Sequence, residues 1–348
     1  MRGASTDGRS GRAVPQLTAR QVDVALEALV VGAIASGVAS WSLGDRWNGW
    51  AAGTHGVVGL SLLLLVPAKV RGSVRTGFRH GRATRWMSAA FGVLVLATIA
   101  LGLLHATGLW YGVGQWTALW THVLLAAAVV PLLVWHVLSR PSRPTWRDLD
   151  RRAVLRLGGV AGAAVVLHSV QRTASDLAGL AGEQRRHTGS HEVASHDPDR
   201  LPTVIWFDDS RPEDTRAATW GLRVQGHAVA ITELWDRATP VVATLDCTGG
   251  WWSEQSWDGV PLSALMGRAH GRSVRVRSAT GYARHFPLGD LDRLYLAVGY
   301  EGRPLRPGHG APVRLVVPGR RGFEWVKWVT SVDDDDRPSW LQPPLPIT

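Results

Sequence analysis

The 348-residue chain has one cysteine, Cys247, in the stretch Leu245-Asp246-Cys247-Thr248-Gly249-Gly250-Trp251-Trp252. A lone thiol cannot cross-link its own domain, so its use is either packing or the chemistry of a soft sulfur. Val241 to Leu245 read as a strand ending at Asp246, and the Thr-Gly-Gly that follows lets backbone approach a ligand closely. Packing stays open as an alternative, because free cysteines are often core residues. The second chemical set is among the 13 histidines, where His55, His105, His122 and His136 fall in apolar stretches. Imidazole is costly in hydrocarbon and there marks a ligand, or a hydrogen bond between helices.

The elements that must hold these groups divide the chain into two unlike halves. Apolar runs at Val24 to Leu43, Gly53 to Ala68, Trp86 to Ala106, Thr117 to Leu138 and Ala153 to Val170 are each near the ~20 residues that cross a bilayer. Met1 to Arg186 holds 20 Lys and Arg against 8 Asp and Glu, whereas His187 to Thr348 holds 18 against 20. The net charge of +10 therefore belongs to the first half, and a nucleic-acid partner is excluded because the second half has no basic excess. The basic residues gather before the first run (Arg2, Arg9, Arg12, Arg20), between the second and third (Lys69 to Arg85) and between the fourth and fifth (Arg140 to Arg152). That bias puts the amino terminus in the cytoplasm and everything after the fifth span outside, in a multi-pass protein of the cell membrane embedded in the lipid bilayer.

On this topology His55, His105 and His122 share the outer level, and any two reach one b-type haem by bis-imidazole ligation, with His55 and His122 preferred. His136 follows His122 by 14 residues, about 21 Å along one helical face. At that inner level the nearest partner is His80, in the basic loop. The segment from Gln171 to Pro202 reads as a polar connection, and its His187, His191 and His196 match no zinc spacing. Beyond it, short β-rich runs at Thr203 to Phe207, Leu222 to Val224, Val241 to Leu245, Ser273 to Arg277, Leu294 to Val298 and Val313 to Val317 predict an α+β domain. Helical signal there is confined to Ile231 to Arg237, Leu262 to Arg268 and Leu288 to Arg293, and Asp333 to Asp336 reads as a solvated tail.

Cys247-Thr-Gly-Gly-Trp with Trp257-Asp-Gly-Val-Pro-Leu262 resembles the molybdenum-ligand segment of the sulfite-oxidase-like molybdopterin oxidoreductases. His309-Gly-Ala-Pro-Val-Arg314, continuing through Gly319 to Lys327-Trp328, is similar to that family's pterin-binding segment, and the resemblance covers roughly Thr203 to Val332. It implies that Cys247 is the protein's ligand to molybdenum. It further implies that Thr248, His309, Arg314 and Lys327 contact the molybdopterin, with Arg320 and Arg321 lining the cofactor or the entrance. Tyr282 and Arg284 fall in the segment that faces the active site in relatives. The helical half is similar to four-helix cytochrome b domains fused to, or partnered with, molybdenum enzymes. Asp150-Arg151-Arg152 before the fifth span resembles an internal twin-arginine export signal, the route for a domain folded around its cofactor.

One departure bears on substrate. Sulfite-oxidising members follow the cysteine with Gly-Asn-Arg-Arg, whereas Gly249-Gly250-Trp251-Trp252 here has no cation. Aromatic walls prefer a neutral or partly apolar oxo substrate, small or protein-bound, to a small dianion. The expected fold class is an all-α membrane bundle of about five spans followed by an α+β sulfite-oxidase-like domain. The expected divisions are a cytoplasmic tail (1–23), a four-helix membrane domain (24–138), a basic loop with the fifth span (139–170), a connection (171–202), the molybdopterin domain (203–332) and a tail (333–348). The expected function is oxygen-atom transfer, nearer sulfoxide reduction than sulfite oxidation, with a quinone or another membrane electron donor. The alternative is an electron-transfer or binding protein that keeps the fold without the catalytic metal.

Overall fold

Five helices carry the apolar runs: α1 (Ala19–Ser42), α2 (Gly49–Lys69), α3 (Arg85–Thr107), α4 (Ala118–Ser139) and α5 (Arg151–Leu177). The computed structural model describes residues 17–44, 49–70, 79, 85–113, 116–139, 145, 148, 150–204 and 211–343. His80, Arg46, the arginines before Arg20, most basic residues of the connections between α2 and α3 and between α4 and α5, and the end of the strand expected over Thr203 to Phe207 lie outside the described residues. All five helices are long and apolar enough to cross a membrane.

The helix ends follow from local chemistry. Thr18 and Gln21 form a reciprocal capping box at the start of α1, at 3.2 and 3.0 Å, and Asp150 caps α5 through the Ala153 N–H at 2.7 Å. The Asp150 cap offsets the Arg151-Arg152 pair, whose charges oppose the helix dipole in that first turn. Polar residues inside the helices bond backward along their own helix, as Ser36 does to Gly32 O (2.6 Å) and Thr98 to Leu94 O (2.8 Å). No donor is then left open to hydrocarbon at these sites.

The bundle core is narrow, with Val30, Leu62, Val129 and Leu133 packed against Leu26, Phe91 and Leu94. Its outer face is apolar, and Val93 and Leu155 are each 67% exposed. Such a surface suits lipid rather than water. The helix bounds differ from the expected runs chiefly at the fifth, which extends from Arg151 to Leu177.

The carboxy-terminal half is built from strands. After a small hairpin between α3 and α4, β1 (Gly112–Val113) with β2 (Trp116–Thr117), the chain adds β3 (His191–Glu192), β4 (Leu222–Val224), β5 (His227–Val229) and helix α6 (Ile231–Arg237). Then come β6 (Thr239–Cys247), β7 (Trp251–Pro261), the single turn α7 (Leu262–Leu265), β8 (Ser273–Ser278) and β9 (Ala283–Phe286). The last are β10 (Tyr295–Tyr300), β11 (Arg303–Pro304), β12 (Arg314–Val316) and β13 (Val329–Asp335). One sheet runs β11-β10-β7-β3, with β12 on β10 and β6 on β7; the other runs β5-β4-β13-β8-β9. Trp257, Trp325, Phe286, Leu222, Leu262 and Leu296 are fully buried in the core of this half.

Two differences from the sequence expectation have physical causes. The long β7 was absent from the expected strands because its inward residues include Ser253 and Gln255, which break the apolar alternation. Both are buried yet bonded to Ala194 O, at 3.0 and 2.6 Å. The acidic run expected in a solvated tail instead completes β13, where Asp333, Asp334 and Asp335 pair with Arg275, Val274 and Ser273 of β8. The Asp335 carboxylate meets His285 at 3.2 Å.

Candidate functional site

β6 delivers Cys247 to the edge of its sheet, β7 leaves at Trp251 directly opposite it, and Gly250 closes the turn at φ +89°. Every carbonyl of the turn is engaged. Cys247 O accepts from Gly250 N at 3.1 Å and from Arg321 at 3.2 Å, Thr248 O from the Trp41 indole at 2.9 Å, Gly249 O from the Thr117 hydroxyl at 3.0 Å, and Gly250 O from His191 N at 2.9 Å. Gly249 N–H points at the sulfur, 3.3 Å away. Burial pushes the Cys247 thiol pKa up, while that N–H and the Arg321 and Lys327 charges favour the thiolate.

Beneath the turn lies a buried ion pair. Asp246 accepts from Thr188 and Ser190, each at 2.7 Å, and from Arg321, whose Nε also donates to Trp41 O at 3.1 Å. Arg186 stands 3.4 Å from the second carboxylate oxygen, with its guanidinium over the Trp252 ring at 5.5 Å. The turn itself has no cation, as the sequence indicates, but the fold brings Arg321 and Arg186 to its base and binds both to Asp246. Gly322 permits the approach, since a Cβ there would stand 3.2 Å from Cys247 Cα.

The remaining expected residues fall into two groups. Arg314 is buried between Trp257 and Trp325, 5.0 and 5.5 Å from the ring centres; it donates to His309 O at 3.0 Å, while its Nε has no partner. Desolvation brings its pKa down to about 10, partly countered by Cys247. His309 is held by Leu201 O (3.1 Å) and the Tyr300 hydroxyl (3.2 Å), and burial, then Arg314 and Lys327, push its imidazole down to about 4. Lys327 donates to Val204 O and Gly308 O, both at 2.8 Å. Arg320, Tyr282 and Arg284 lie elsewhere. Arg320 pairs with Asp290 and Glu324 at 2.8 and 3.1 Å, the Tyr282 hydroxyl donates to Phe323 O at 2.5 Å, and Arg284 lies 5.1 Å over the Phe323 ring. Tyr282 and Arg284 thus support the 322–324 turn that lies against Cys247.

The helical half meets this site through its helix ends. Trp41 closes α1, Thr117 precedes α4, and a Cβ on Gly250 would stand 2.9 Å from the His105 ring and from Leu119. Below this surface His55 and His122 face each other, ring centres 5.8 Å apart and planes at 87°. His55 Nδ1 donates to Ala33 O at 3.0 Å and His122 Nδ1 to Thr98 O at 2.7 Å. These are the interhelical bonds of the alternative reading, and they leave both Nε2 atoms for a metal. His105 is turned away from that pair: its Nε2 donates to Gly189 O at 3.0 Å and its ring stands edge-on to His191 at 4.8 Å. His136 stacks on Phe91 at 5.6 Å. Among the described residues no group of three or more His, Cys, Asp or Glu side chains forms a metal cage.

Residues 210–340 match the family model described as oxidoreductase molybdopterin binding domain. The carboxy-terminal half carries a molybdopterin-binding oxidoreductase domain. Its curated relatives include inducible nitrate reductase (NADH) 2 of Glycine max, 26% identical over 185 residues, covering 41% of this chain and 20% of that protein. Nitrate reductase (NADPH) of Neurospora crassa is 27% identical over 192 residues, 41% of this chain and 19% of that protein. Nitrate reductase (NADPH) of Mycosarcoma maydis is 46% identical over 52 residues, 14% and 5%. The chain thus spans a fifth or less of these relatives' length. The crystal structure of the sulfane dehydrogenase SoxCD from Paracoccus pantotrophus is 26% identical over 36% of this chain and 40% of that chain, with a TM-score of 0.34.

The residues of the molybdopterin-binding domain suit an anionic cofactor. Arg314 is a buried cation with an unmatched Nε donor, held by carbonyl oxygens and indole rings, and Lys327 is a half-buried cation that donates to two carbonyl oxygens. Buried charges of one sign fit a phosphate. What sequence reasoning missed here is the junction: Trp41, Thr117, His191 and Asp246 are ordinary residues until the fold brings them to Arg321 and the cysteine turn. The one signal in the sequence is Asp246, an acid at the end of a strand and next to the lone cysteine.

Proposed function

We propose that this chain is a membrane-anchored molybdopterin-dependent oxidoreductase that exchanges electrons between a b-type haem in the bundle and an extracytoplasmic molybdenum centre. One observation carries the reading: the cysteine turn rests directly on the helix ends above the His55–His122 pair. Thr117, bonded to Gly249 O, precedes His122 by five residues, about 7.5 Å of helix. Metal and haem would then share one rigid path with no diffusing carrier between them.

Bound molybdopterin supplies the two-electron oxygen-atom chemistry. Cys247 is the thiolate ligand, and Arg314, His309 and Lys327 hold the phosphate and ring, with Thr248 packed beside the ligand. Arg320, Tyr282 and Arg284 act at one remove, by fixing the loop that touches Cys247. His55 and His122 are the haem ligands. Each spends Nδ1 on a backbone carbonyl, so the Nε2 atoms of the two facing rings would be the ones to hold the iron. His105 acts at the junction, and His136 marks the inner level. A membrane quinol is the electron source.

The turn itself carries no cation, and Arg321 and Arg186 beneath it are drawn to the carboxylate of Asp246. That favours a neutral sulfoxide over sulfite as substrate. The nitrate reductases among the relatives make nitrate the competing anion.

The full-length protein in detergent is the sample for the test. Molybdenum near one atom per chain, Soret and α bands on reduction, and reoxidation of the haem by a methyl sulfoxide but not by nitrate are the expected results. C247S should lose turnover and perturb the molybdenum centre, and H55A or H122A should lose the haem bands. Protein without molybdenum when gently purified would be an electron-transfer or binding protein, and the proposal would fall.

A further inference from the structure

A histidine on the fifth helix has no part in the function above. His168 lies on α5, 17 residues beyond Arg151, about 25 Å along the helix and so near the outer side of a hydrocarbon core of ~30 Å. Its ring is pressed against α2 at Gly56, where a Cβ would stand 2.8 Å from His168 Cε1, 2.9 Å from Nδ1 and 3.8 Å from Nε2. The missing side chain is what admits the imidazole, and Gly56 is the chain neighbour of His55. Nε2 is the ring nitrogen farther from α2, and among the described residues neither nitrogen has a hydrogen-bond partner.

An imidazole left without a partner in a membrane helix is costly, and such a group marks a site. What reaches it must come through lipid, because Val166 and Val170 on either side are apolar and 61% and 56% exposed. Arg172 stands one turn further out on the same face of α5. Arg185 is held beside the end of α3, since Gly182 N donates to Thr107 O at 3.2 Å and Arg185 Nε donates to Gly182 O at 3.1 Å. Burial, then the Arg172 charge, bring the Arg185 pKa down to about 10, and among the described residues neither arginine is paired with a carboxylate. The ligand that fits has an apolar body soluble in the bilayer and a head whose O–H can donate to imidazole and turn negative beside cations. A quinol has all of these.

We propose that quinol is oxidised at the outer level of the bundle, its head group seated between α2 and α5 with an O–H donating to His168. This inference rests on the function proposed above, which names a membrane quinol but no site for it. Quinol gives up two protons and two electrons and becomes quinone. His168 accepts the protons in turn and passes them to outer water, while the electrons leave by the His55–His122 pair beside it. At the molybdenum site the sulfoxide takes two electrons and two protons, its S–O bond breaks, and the products are sulfide and water. Protons are thus released and consumed on one side, and turnover moves no net charge across the membrane.

The test uses the full-length protein in phospholipid vesicles with the molybdopterin domain outward, and molybdenum content and haem spectrum are recorded on each sample. Decylubiquinol or menadiol, whichever the wild type turns over faster, is compared with reduced methyl viologen as donor to methyl phenyl sulfoxide. In H168L the ratio of quinol-driven to viologen-driven turnover should fall about 10²-fold, the loss expected of a general base. An azidoquinone photolabel on the wild type should mark the peptides around Gly56 and His168, and a pH dye in the vesicle lumen should report no change during quinol turnover. An unchanged ratio in H168L, label confined to other helices, or acidification of the lumen each overturns the site and leaves the function standing. So does label displaced by phosphatidylglycerol with the ratio unchanged, which would make the cations a lipid head-group site only. Viologen turnover without quinol turnover in the wild type has the same meaning. Should H168L fail to fold, the photolabel and the lumenal pH of the wild type still decide. A wild type without molybdenum or haem bands overturns the function, and the site with it.

Discussion

Replacing Gly250 by alanine tests whether the two halves work as one body. Gly250 sits at φ +89°, and an added Cβ would stand 2.9 Å from His105 Cε1, 2.9 Å from Leu119 Cδ2 and 3.1 Å from Leu119 Cβ. The left-handed backbone costs alanine about 1–2 kcal/mol. Forcing a methyl against an imidazole and a leucine costs about 1–3 kcal/mol more. Gly189 is the control, because it has φ +85° and nothing within 4 Å of its Cβ position, so G189A carries only the backbone cost. The difference between the two variants isolates the docking contact, and for a domain of this size corresponds to roughly 2–10 °C in melting temperature. Tryptophan fluorescence on heating gives the stability, and stopped-flow reoxidation by substrate of the haem proposed above gives the coupling. G250A should melt below G189A and reoxidise at least tenfold more slowly. Equal melting and equal reoxidation in the two variants would falsify the junction as a route for electrons.

Other outcomes follow from the buried charges. D246N strips Arg321 of its counter-charge and should cost about 3–5 kcal/mol, measured by denaturant unfolding, and the double variant with R321M should recover part of the loss. R314M removes a desolvated cation; it should leave the cofactor-free domain as stable as before or more so, yet release molybdopterin on gel filtration. Unchanged cofactor retention would remove Arg314 from the phosphate site. The His309 imidazole, held near 4 in the fold against about 6.5 unfolded, takes up protons more readily in the unfolded chain. Stability should therefore be complete above pH 6.5 and fall by up to about 3 kcal/mol as pH drops to 4, a slope that H309Q should flatten in melting curves.

The chain shows its helices openly and its junction hardly at all. Long apolar runs and the charge of their connections follow from composition, and the glycine turn after Cys247 is legible because glycine and a lone thiol are unusual there. β7 was hidden by Ser253 and Gln255, whose burial depends on hydrogen bonds to Ala194, about sixty residues earlier in the chain. Neighbours Arg320 and Arg321 have the same chemistry in sequence, yet one faces Asp290 and Glu324 while the other enters the Asp246 network. His105 and His55 share a level along their helices, and only the packing turns one toward His191 and the other toward His122. Trp41 and Thr248 are separated by 207 positions, and no local pattern signals that the indole of one meets the carbonyl of the other.

The seating of residues 247 to 250, with each of their four carbonyl oxygens already taken, has a consequence for supply. A soluble redox carrier arriving from the aqueous compartment finds that flank occupied by the protein's own helices. On the function proposed above, reducing power would then track the oxidation state of the lipid-dissolved pool, and each molecule would serve its own centre at a fixed one-to-one ratio however dilute the protein became.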